Sequence, residues 1–166
     1  MLETKVLRIP TVLKKKYATF RPTPLFRAKK LEKKLATSCE IYIKDESATP
    51  TYNYKANTAY LIAHYAQKDG ITMLTTETTG NWGIALAMAA KEFGIRVVCF
   101  MDEESHLKRP DRKSIMEECE AKVVIVPTGK KLKDLLTLST DAAITYTKNK
   151  NARYVFGSVY NYFVTP

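Results

Sequence analysis

Residues 73–101, MLTTETTGNWGIALAMAAKEFGIRVVCFM, decide the fold of this 166-residue chain. They begin with a short run of apolar and β-branched residues (73–77), continue through an alanine-rich stretch (81–93) and end in a second apolar run (95–101). The second run is typical of a strand that is buried on both faces, as strands of parallel sheets are. The stretch therefore predicts a strand, a helix and a second strand, connected as a right-handed βαβ unit.

Strands and helices are predicted to alternate along the rest of the chain. Further strands are expected at 40–45, 122–126 and 154–158, and further helices at 53–68, 110–120 and 131–148. Gly70 and Gly94 follow predicted helices, at the position where glycine commonly ends a helix. This alternation predicts an α/β fold of three αβα layers, with a mainly parallel, doubly wound sheet that helices cover on both faces. Ligands bind such sheets where the strands end and the loops lead into helices.

The composition excludes a disordered or membrane-spanning protein. The chain is 45% hydrophobic and 27% charged, as ordinary globular proteins are, and no apolar run reaches the roughly 18–20 residues that span a bilayer. Three cysteines without a CxxC pair fit reduced intracellular thiols, and Cys99 is expected in a buried strand. Because the N-terminus also has no continuous apolar leader, we expect a cytoplasmic protein.

The positive charge is concentrated near the N-terminus. Residues 1–34 hold 11 of the 27 Lys and Arg residues and 2 acidic residues, so they carry +9 of the net charge of +10. We therefore divide the chain into a basic N-terminal segment, 1–34, and a single α/β domain, 35–166. The segment can be a nucleic-acid footprint or the solvated face of a helix around Leu31 and Leu35. No aromatic platform or nucleic-acid motif accompanies it, so we expect no nucleic-acid partner.

The connection between the first predicted strand and helix of the opening stretch has the composition of an anion site. It consists of Glu77, Thr78, Thr79, Gly80, Asn81, Trp82 and Gly83. The first amides of a helix have no intrahelical partner and can bind an anion, while glycine lets the backbone approach a ligand closely. The alternative is a tight turn in which Thr or Asn caps the helix. Spacing alone leaves both interpretations open.

Lys55 is the second candidate for chemistry. It stands in TPTYNYKANTAY (49–60), among three tyrosines, in the loop or first turn after a predicted strand. A lysine in a partly desolvated pocket has a lowered pKa and can attack a carbonyl to form a Schiff base. The alternative is an ordinary surface lysine, which is the commoner case. His64 and His106 complete no metal-ligand pair, so no metal site is predicted.

Four segments together resemble, in this order, the pyridoxal-phosphate enzymes of fold type II. They are RPTPLFRAKKLEKKL (21–35), IYIKDESATPT (41–51), NYKANTA (53–59) and TTETTGNWGIALAMAAKEFG (75–94). Two later segments, RPDRKSIMEECEAKVVIV (109–126) and ARYVFGSVYN (152–161), are most similar to the tryptophan synthase β chains of the second, α-independent type. The chain is thus similar to the N-terminal portion of that family over roughly residues 20–164.

The resemblance implies a lyase of tryptophan biosynthesis that converts L-serine and indole into L-tryptophan with pyridoxal 5′-phosphate. It implies that Lys55 holds the cofactor as a Schiff base and that Glu77 is the acid–base carboxylate. The residues on the substrate-binding loop of the family are Thr78, Thr79, Gly80 and Asn81. The residues implied to contact the cofactor are Tyr54, Lys55, Asn57, Asn81, Gly157 and Ser158. The cofactor would act as the electron sink, while the protein orients it.

Two local departures from the family leave the reaction open. The loop 77–83 is one residue shorter than the family's, and its TGN core is similar to that of threonine synthase and related lyases. Before the lysine, Tyr52, Asn53 and Tyr54 replace glycine, serine and histidine, and a tyrosine hydroxyl can take over the histidine's phosphate contact. The alternative to a tryptophan synthase is therefore a pyridoxal-phosphate enzyme that resembles threonine synthase or serine dehydratase.

The third departure is length, because the family's glycine-rich phosphate cup lies in a half that these 166 residues do not include. We therefore expect a chain that takes a small amino acid and indole but is an incomplete catalyst alone. Its expected partner is a C-terminal half or a second copy. The alternative is a truncated, non-catalytic module for oligomerisation or binding. Self-association is favoured by the apolar side chains of Val159, Tyr160, Tyr162 and Phe163.

Overall fold

The computed structural model of the chain describes residues 8–127, 132–148 and 151–157. The chain divides into two compact units, Met1–Tyr54 and Lys55–Pro166. No helix in the described ranges is long and apolar enough to cross a membrane. The predicted apolar residues at 159–163 and the predicted cofactor contact Ser158 lie outside these ranges.

The first unit is small and carries an antiparallel pair of strands. Its elements are α1 (Thr11–Ala18), β1 (Leu25–Arg27), α2 (Lys29–Leu35), β2 (Tyr42–Lys44) and a 3₁₀ turn (Glu46–Ala48). The strand predicted at 40–45 is present as β2, but it pairs with β1 and not with the parallel sheet. The helix around Leu31 and Leu35 is present as α2, and both leucines are largely exposed, by 41% and 59%. In this unit the Arg27 guanidinium pairs with two carboxylates, those of Glu32 and Glu40.

The second unit is built on the parallel sheet that the sequence predicts. Its strands are β3 (Met73–Thr78), β4 (Arg96–Asp102), β5 (Lys122–Val126) and β6 (Ala152–Tyr154). They lie in the order β5-β4-β3-β6, and each neighbouring pair is parallel. Strands β4 and β5 follow β3 in order on one side of it, whereas β6 pairs with the other side of β3. The carboxyl end of β3 therefore lies next to a reversal of strand order, where ligands of doubly wound sheets bind.

Helices cover this sheet on two faces. They are α3 (Ala56–Lys68), α4 (Asn81–Glu92), α5 (Glu103–Lys108), α6 (Asp111–Glu118) and α7 (Leu132–Thr147). Helix α7 packs on β3, β4 and β6, where Ala143 joins a cluster with Met73, Val98 and Phe100. Helix α4 packs on β3 and β4 and is flanked by α3 and α6. Side chains alternate between the two faces of a sheet along each strand. Met73 faces α7, so Thr76 and Thr78 of the same strand face α4. The predicted three layers are thereby confirmed.

Alanine lets α4 lie close to its neighbours. Along this helix the side chains of Ala85, Ala87, Ala89 and Ala90 are buried, and α3 presents Ala56, Ala59, Ala63 and Ala66 in the same way. At the rim of this interface, the Tyr60 hydroxyl donates a hydrogen bond of 2.7 Å to Glu92. Cys99 is fully buried in β4, as predicted, and burial, followed by the nearby Glu77 carboxylate, raises its pKa to about 12.

The boundaries of the last strand differ from the prediction. The apolar run predicts a strand at 154–158, whereas β6 begins at Ala152, which pairs with Met73, and ends at Tyr154. Val155 still donates its backbone N–H to Thr75 at 2.9 Å. Pairing with a neighbouring strand, which periodicity does not report, sets where the strand begins and ends.

Candidate functional site

The connection from β3 to α4 is ordered by one hydroxyl. Oγ1 of Thr78 accepts the backbone N–H groups of Gly80 and Gly83, both at 2.9 Å. Gly80 precedes the helix at φ +130°, a conformation that side chains rarely adopt, so glycine is needed there. The N-cap of α4 is Gly80, which has no side chain, and Thr78 orders the first turn from two residues earlier. The amides of Asn81 and Trp82 lie between the two that Thr78 bonds.

Arg112 of α6 lies along the same connection. Its Nη1 donates a hydrogen bond of 2.9 Å to the backbone carbonyl of Thr79. A Cβ atom on Gly80 would lie 2.1 Å from Cδ of Arg112, so the arginine stem occupies the space that a larger residue would need. The guanidinium therefore brings a positive charge to the exposed side of the loop that contains Thr79 and Asn81.

Lys55 directly precedes α3 and is half-buried. Burial, and after it the positive charge of Arg112, lowers the pKa of the Lys55 ammonium. Arg112 thus acts on Lys55 electrostatically while it bonds to the Thr78–Asn81 loop. Lys55 and the loop are therefore brought to one region at the carboxyl end of β3. Asn57 lies in the first turn of α3 and is also half-buried.

Glu77 lies at the end of β3 and is 6% exposed. Its Oε2 accepts a hydrogen bond of 2.5 Å from the hydroxyl of Tyr154. Burial raises the pKa of the Glu77 carboxyl, and the bond from Tyr154 opposes that rise. The pKa of the Tyr154 hydroxyl is raised as well, by burial and by the bond to Glu77, so the tyrosine is the proton donor of the pair. The site thus contains a buried carboxyl that can hold a proton more readily than an exposed one.

Trp82 connects the start of α4 with the segment after β6. Its Nε1 donates to Oγ1 of Thr76 at 2.8 Å, and that hydroxyl donates to the carbonyl of Glu77 at 3.0 Å. A Cβ atom on Gly157 would lie 2.1 Å from Cγ of Trp82, so the backbone of Gly157 rests on the indole ring. The structure therefore brings Gly157 to the first turn of α4, beside the predicted loop.

The predicted residues differ in how far they are exposed. Tyr54 belongs to the first unit and is 55% exposed, whereas Lys55 belongs to the second. Thr79 and Asn81 are exposed, and Thr78 and Gly80 are buried. Within the part of the chain that the structure describes, no three His, Cys, Asp or Glu residues are placed to hold a metal ion.

Sequence reasoning missed Arg112 and Tyr154 as individual residues. Both stand in segments that carried the family resemblance, 109–126 and 152–161. Neither has a local signal, because Arg112 is one of many basic residues and Tyr154 one of 10 tyrosines. Their roles depend on the pairing of β6 with β3 and on the position of α6 against α4.

The doubly wound sheet, the lysine before α3 and the loop before α4 are together the features of a cofactor-dependent α/β enzyme. The model of the family described as "Pyridoxal-phosphate dependent enzyme" matches residues 17–165. The chain belongs to this family, whose cofactor is pyridoxal phosphate. The predicted resemblance and the predicted fold class are confirmed.

Several tryptophan synthase β chains are similar to this chain in sequence. The chain is 41% identical to tryptophan synthase beta chain 1 of Sulfurisphaera tokodaii, over 93% of this chain and 40% of that protein. It is 40% identical to beta chain 2 of Pyrococcus abyssi, over 95% and 39%, and 36% identical to beta chain 2 of Thermotoga maritima, over 96% and 41%. The chain thus spans about 40% of the length of these relatives.

A solved structure supports the fold. A pyridoxal 5′-phosphate-dependent aspartate racemase superposes with a TM-score of 0.72, over 88% of this chain and 44% of the racemase. The two sequences are 21% identical, so this likeness concerns the fold.

Proposed function

We propose that this chain is the part of a tryptophan synthase β-type enzyme that carries the cofactor lysine and the substrate loop. The reaction is the replacement of the hydroxyl of L-serine by indole, which yields L-tryptophan and water. The observation that carries the proposal is the half-buried position of Lys55, where burial, and after it the charge of Arg112, lowers the pKa of Lys55, while Arg112 also bonds to the loop at Thr79. The names of the similar relatives support the choice of reaction.

Lys55 fits the aldehyde end of pyridoxal phosphate. Only a neutral amine adds to an aldehyde, and a lowered pKa increases the neutral fraction of Lys55 near neutral pH. When bound, the cofactor supplies an electron sink for the bonds at the substrate Cα. Lys55 would hold the cofactor and move the proton at that carbon. Asn57, in the first turn of α3, and Gly157, whose backbone rests on Trp82, would be further contacts of the cofactor.

The β3–α4 loop fits the carboxylate of an amino acid. Thr78 bonds the amides of Gly80 and Gly83 and so holds the loop in place, and the carboxylate would lie against its exposed residues, Thr79 and Asn81, at the N-terminus of α4. The positive charge of Arg112 on the same loop attracts the carboxylate further. The side chain of Thr78 therefore orders the loop in this proposal, while Thr79, Gly80 and Asn81 face the ligand.

Glu77 fits the acid–base role. A buried carboxyl with a raised pKa can carry a proton at a higher pH than an exposed glutamate does. In the first half of the reaction it would give this proton to the serine hydroxyl, which leaves as water. In the second half the carboxylate would accept a hydrogen bond from the indole N–H and take up a proton again.

The complete pocket requires more than these residues, since the relatives are longer. We propose that a complementary C-terminal portion, on the same or another polypeptide, closes it over the cofactor phosphate. A small amino acid and indole would then be the ligands, and the enzyme would work in the cytoplasm, where we place tryptophan biosynthesis.

The attachment of the cofactor is tested on the chain as it is. Pyridoxal phosphate is added, the product is reduced with borohydride, and the labelled peptide is identified by mass spectrometry. We expect one dominant label at Lys55, with a visible absorption band that survives dialysis. The Lys55→Ala variant should lose both, whereas Lys68→Ala, at the exposed far end of α3, should retain both. Equal labelling of the two variants would contradict the proposal.

The reaction is tested by product analysis. The cofactor-loaded chain is given L-serine with and without indole, alone and together with the C-terminal portion of the Sulfurisphaera tokodaii relative. We expect tryptophan when the two portions are combined. Pyruvate from serine, without tryptophan in the presence of indole, would favour a serine dehydratase-like enzyme and contradict the assignment.

A further inference from the structure

The pairing of β6 with β3 determines which side chain meets Glu77. Thr75 of β3 is aligned with Tyr154 of β6 in a parallel register, so their side chains emerge on the same face of the sheet. Glu77 follows Thr75 by two residues and therefore lies on that face as well, one step nearer the carboxyl end. A tyrosine is long enough to span this step, and its hydroxyl reaches Oε2 of Glu77 at 2.5 Å.

We propose that Tyr154 is a positioning residue that acts through Glu77. Its hydroxyl fixes Oε2 and the plane of the carboxyl group, which leaves Oε1 to exchange a proton with the ligand. The terminal torsion of a glutamate is broad, so without such a bond the carboxyl group would adopt many orientations. This inference rests on the proposed acid–base role of Glu77 and adds a residue to it.

Burial is the largest influence on the pKa of Glu77, and the Tyr154 hydroxyl, followed by the backbone N–H of Glu77 itself, opposes it. The neighbouring titratable groups are Tyr154 from β6 and the Cys99 thiol from β4, and Thr140 from α7 interacts with Tyr154 in turn. Burial raises the pKa of Cys99 and Tyr154, so both stay neutral while Glu77 titrates. The bond from Tyr154 favours the ionised form of Glu77 and opposes the effect of burial.

The test is a titration of Glu77 that needs neither cofactor nor substrate. The chain is prepared with ¹³C-labelled glutamate, the Glu77 carboxyl resonance is assigned with Glu77→Gln, and its pKa is measured by NMR. We expect Tyr154→Phe to shift the midpoint to higher pH, because the ionised carboxylate loses its hydrogen-bond donor. Tyr146→Phe is the matched control, since Tyr146 belongs to the same apolar cluster and its ring packs on Phe100. That variant should leave the midpoint unchanged.

A second measurement uses the unaltered chain. The ¹³Cζ resonance of Tyr154 should change with the same midpoint as the Glu77 carboxyl, because a hydrogen bond joins the two groups. An unchanged Glu77 midpoint in Tyr154→Phe, or a Tyr154 resonance that ignores Glu77 ionisation, would overturn the inference. These results are independent of the borohydride labelling of Lys55, so a failure of the proposed function is recognised separately.

Discussion

At the scale of single residues, Arg112 connects two parts of the candidate site. Its guanidinium donates to the carbonyl of Thr79, its stem fills the space beside Gly80, and its charge lowers the pKa of Lys55. Burial of Lys55 is the larger cause of that lowered pKa. The arginine therefore links the geometry of the β3–α4 loop to the pKa of the lysine.

Removal of this charge should raise the pKa of Lys55. In Arg112→Gln the burial of Lys55 persists, so its pKa should rise but remain below that of an exposed lysine. Because the neutral amine reacts, the curve of borohydride-trapped labelling at Lys55 against pH should move to higher pH. The labelling is measured by peptide mass spectrometry over a series of pH values.

Lys113→Gln is the control for this prediction. It removes the same charge from the neighbouring position of α6, where the lysine pairs with Glu117 at 2.6 Å. Its labelling curve should coincide with that of the unaltered chain. If the labelling curve of Arg112→Gln also coincides with that of the unaltered chain, Arg112 does not act on Lys55.

At the scale of elements, the close approach of α4 and α6 positions Arg112 over the loop. Gly83 in the first turn of α4 makes this approach possible, since a Cβ atom there would lie 2.4 Å from Sδ of Met116 and 2.8 Å from Cγ2 of Thr78. Thr78 is also the residue whose hydroxyl orders the loop. The packing of the two helices and the geometry of the site are thus linked through one glycine.

Gly83→Ala should destabilise the chain although alanine is the better helix former. Overpacking of this kind costs about 1–3 kcal/mol, which exceeds the roughly 1 kcal/mol that alanine gains over glycine inside a helix. We expect a lower urea midpoint at an unchanged m-value. A variant that is more stable than the unaltered chain would contradict the observed contact. Gly70→Ala is the comparison variant, since a Cβ atom there meets nothing within 4 Å. Its loss of stability measures the backbone cost of alanine at a positive φ, without overpacking.

At the scale of the whole molecule, the second unit tolerates a buried carboxyl at the edge of its apolar core. Glu77 lies on the same face of the sheet as the cluster around Phe100. In the pairing of β3 with β4, Glu77 is aligned with Phe100. A group whose pKa is raised on folding opposes folding when it ionises. The site therefore reduces global stability at neutral pH, as acid–base groups in active sites commonly do.

The free energy of unfolding should reveal this cost through its pH dependence. Below the pKa that Glu77 has in the unfolded chain, Glu77 is protonated in both the folded and the unfolded state. The contribution of the protonated carboxyl to stability is then fully present. As the pH rises through the unfolded and then the folded pKa, the unfolded state releases the proton first, so stability is lost. Relative to Glu77→Gln, the unaltered chain should therefore become less stable as the pH rises above about 4, the ordinary pKa of a glutamate. Urea unfolding at several pH values measures the difference, and a constant difference would refute the prediction.

Much of the second unit could be predicted from local pattern. The periods of β3, α4 and β4 depend on each residue and its near neighbours, so the strand–helix–strand order and the buried Cys99 followed directly. The Thr-Gly-Asn composition before α4 and the lysine before α3 predicted a candidate site, and its chemistry stays a prediction. Resemblance then identified the family, because several ordered segments are far more specific than one.

Other features depend on contacts between residues that are distant along the chain. The antiparallel pairing of β1 with β2, the early start of β6 and the bond of Tyr154 to Glu77 all require a register between strands, which a single strand's pattern does not contain. The bond of Arg112 to Thr79 requires α6 to pack beside α4. Periodicity along the chain thus specified the elements, and the resemblance proposed a role for the lysine and the loop. Packing in three dimensions alone decided which side chains orient that chemistry and shift its pKa values.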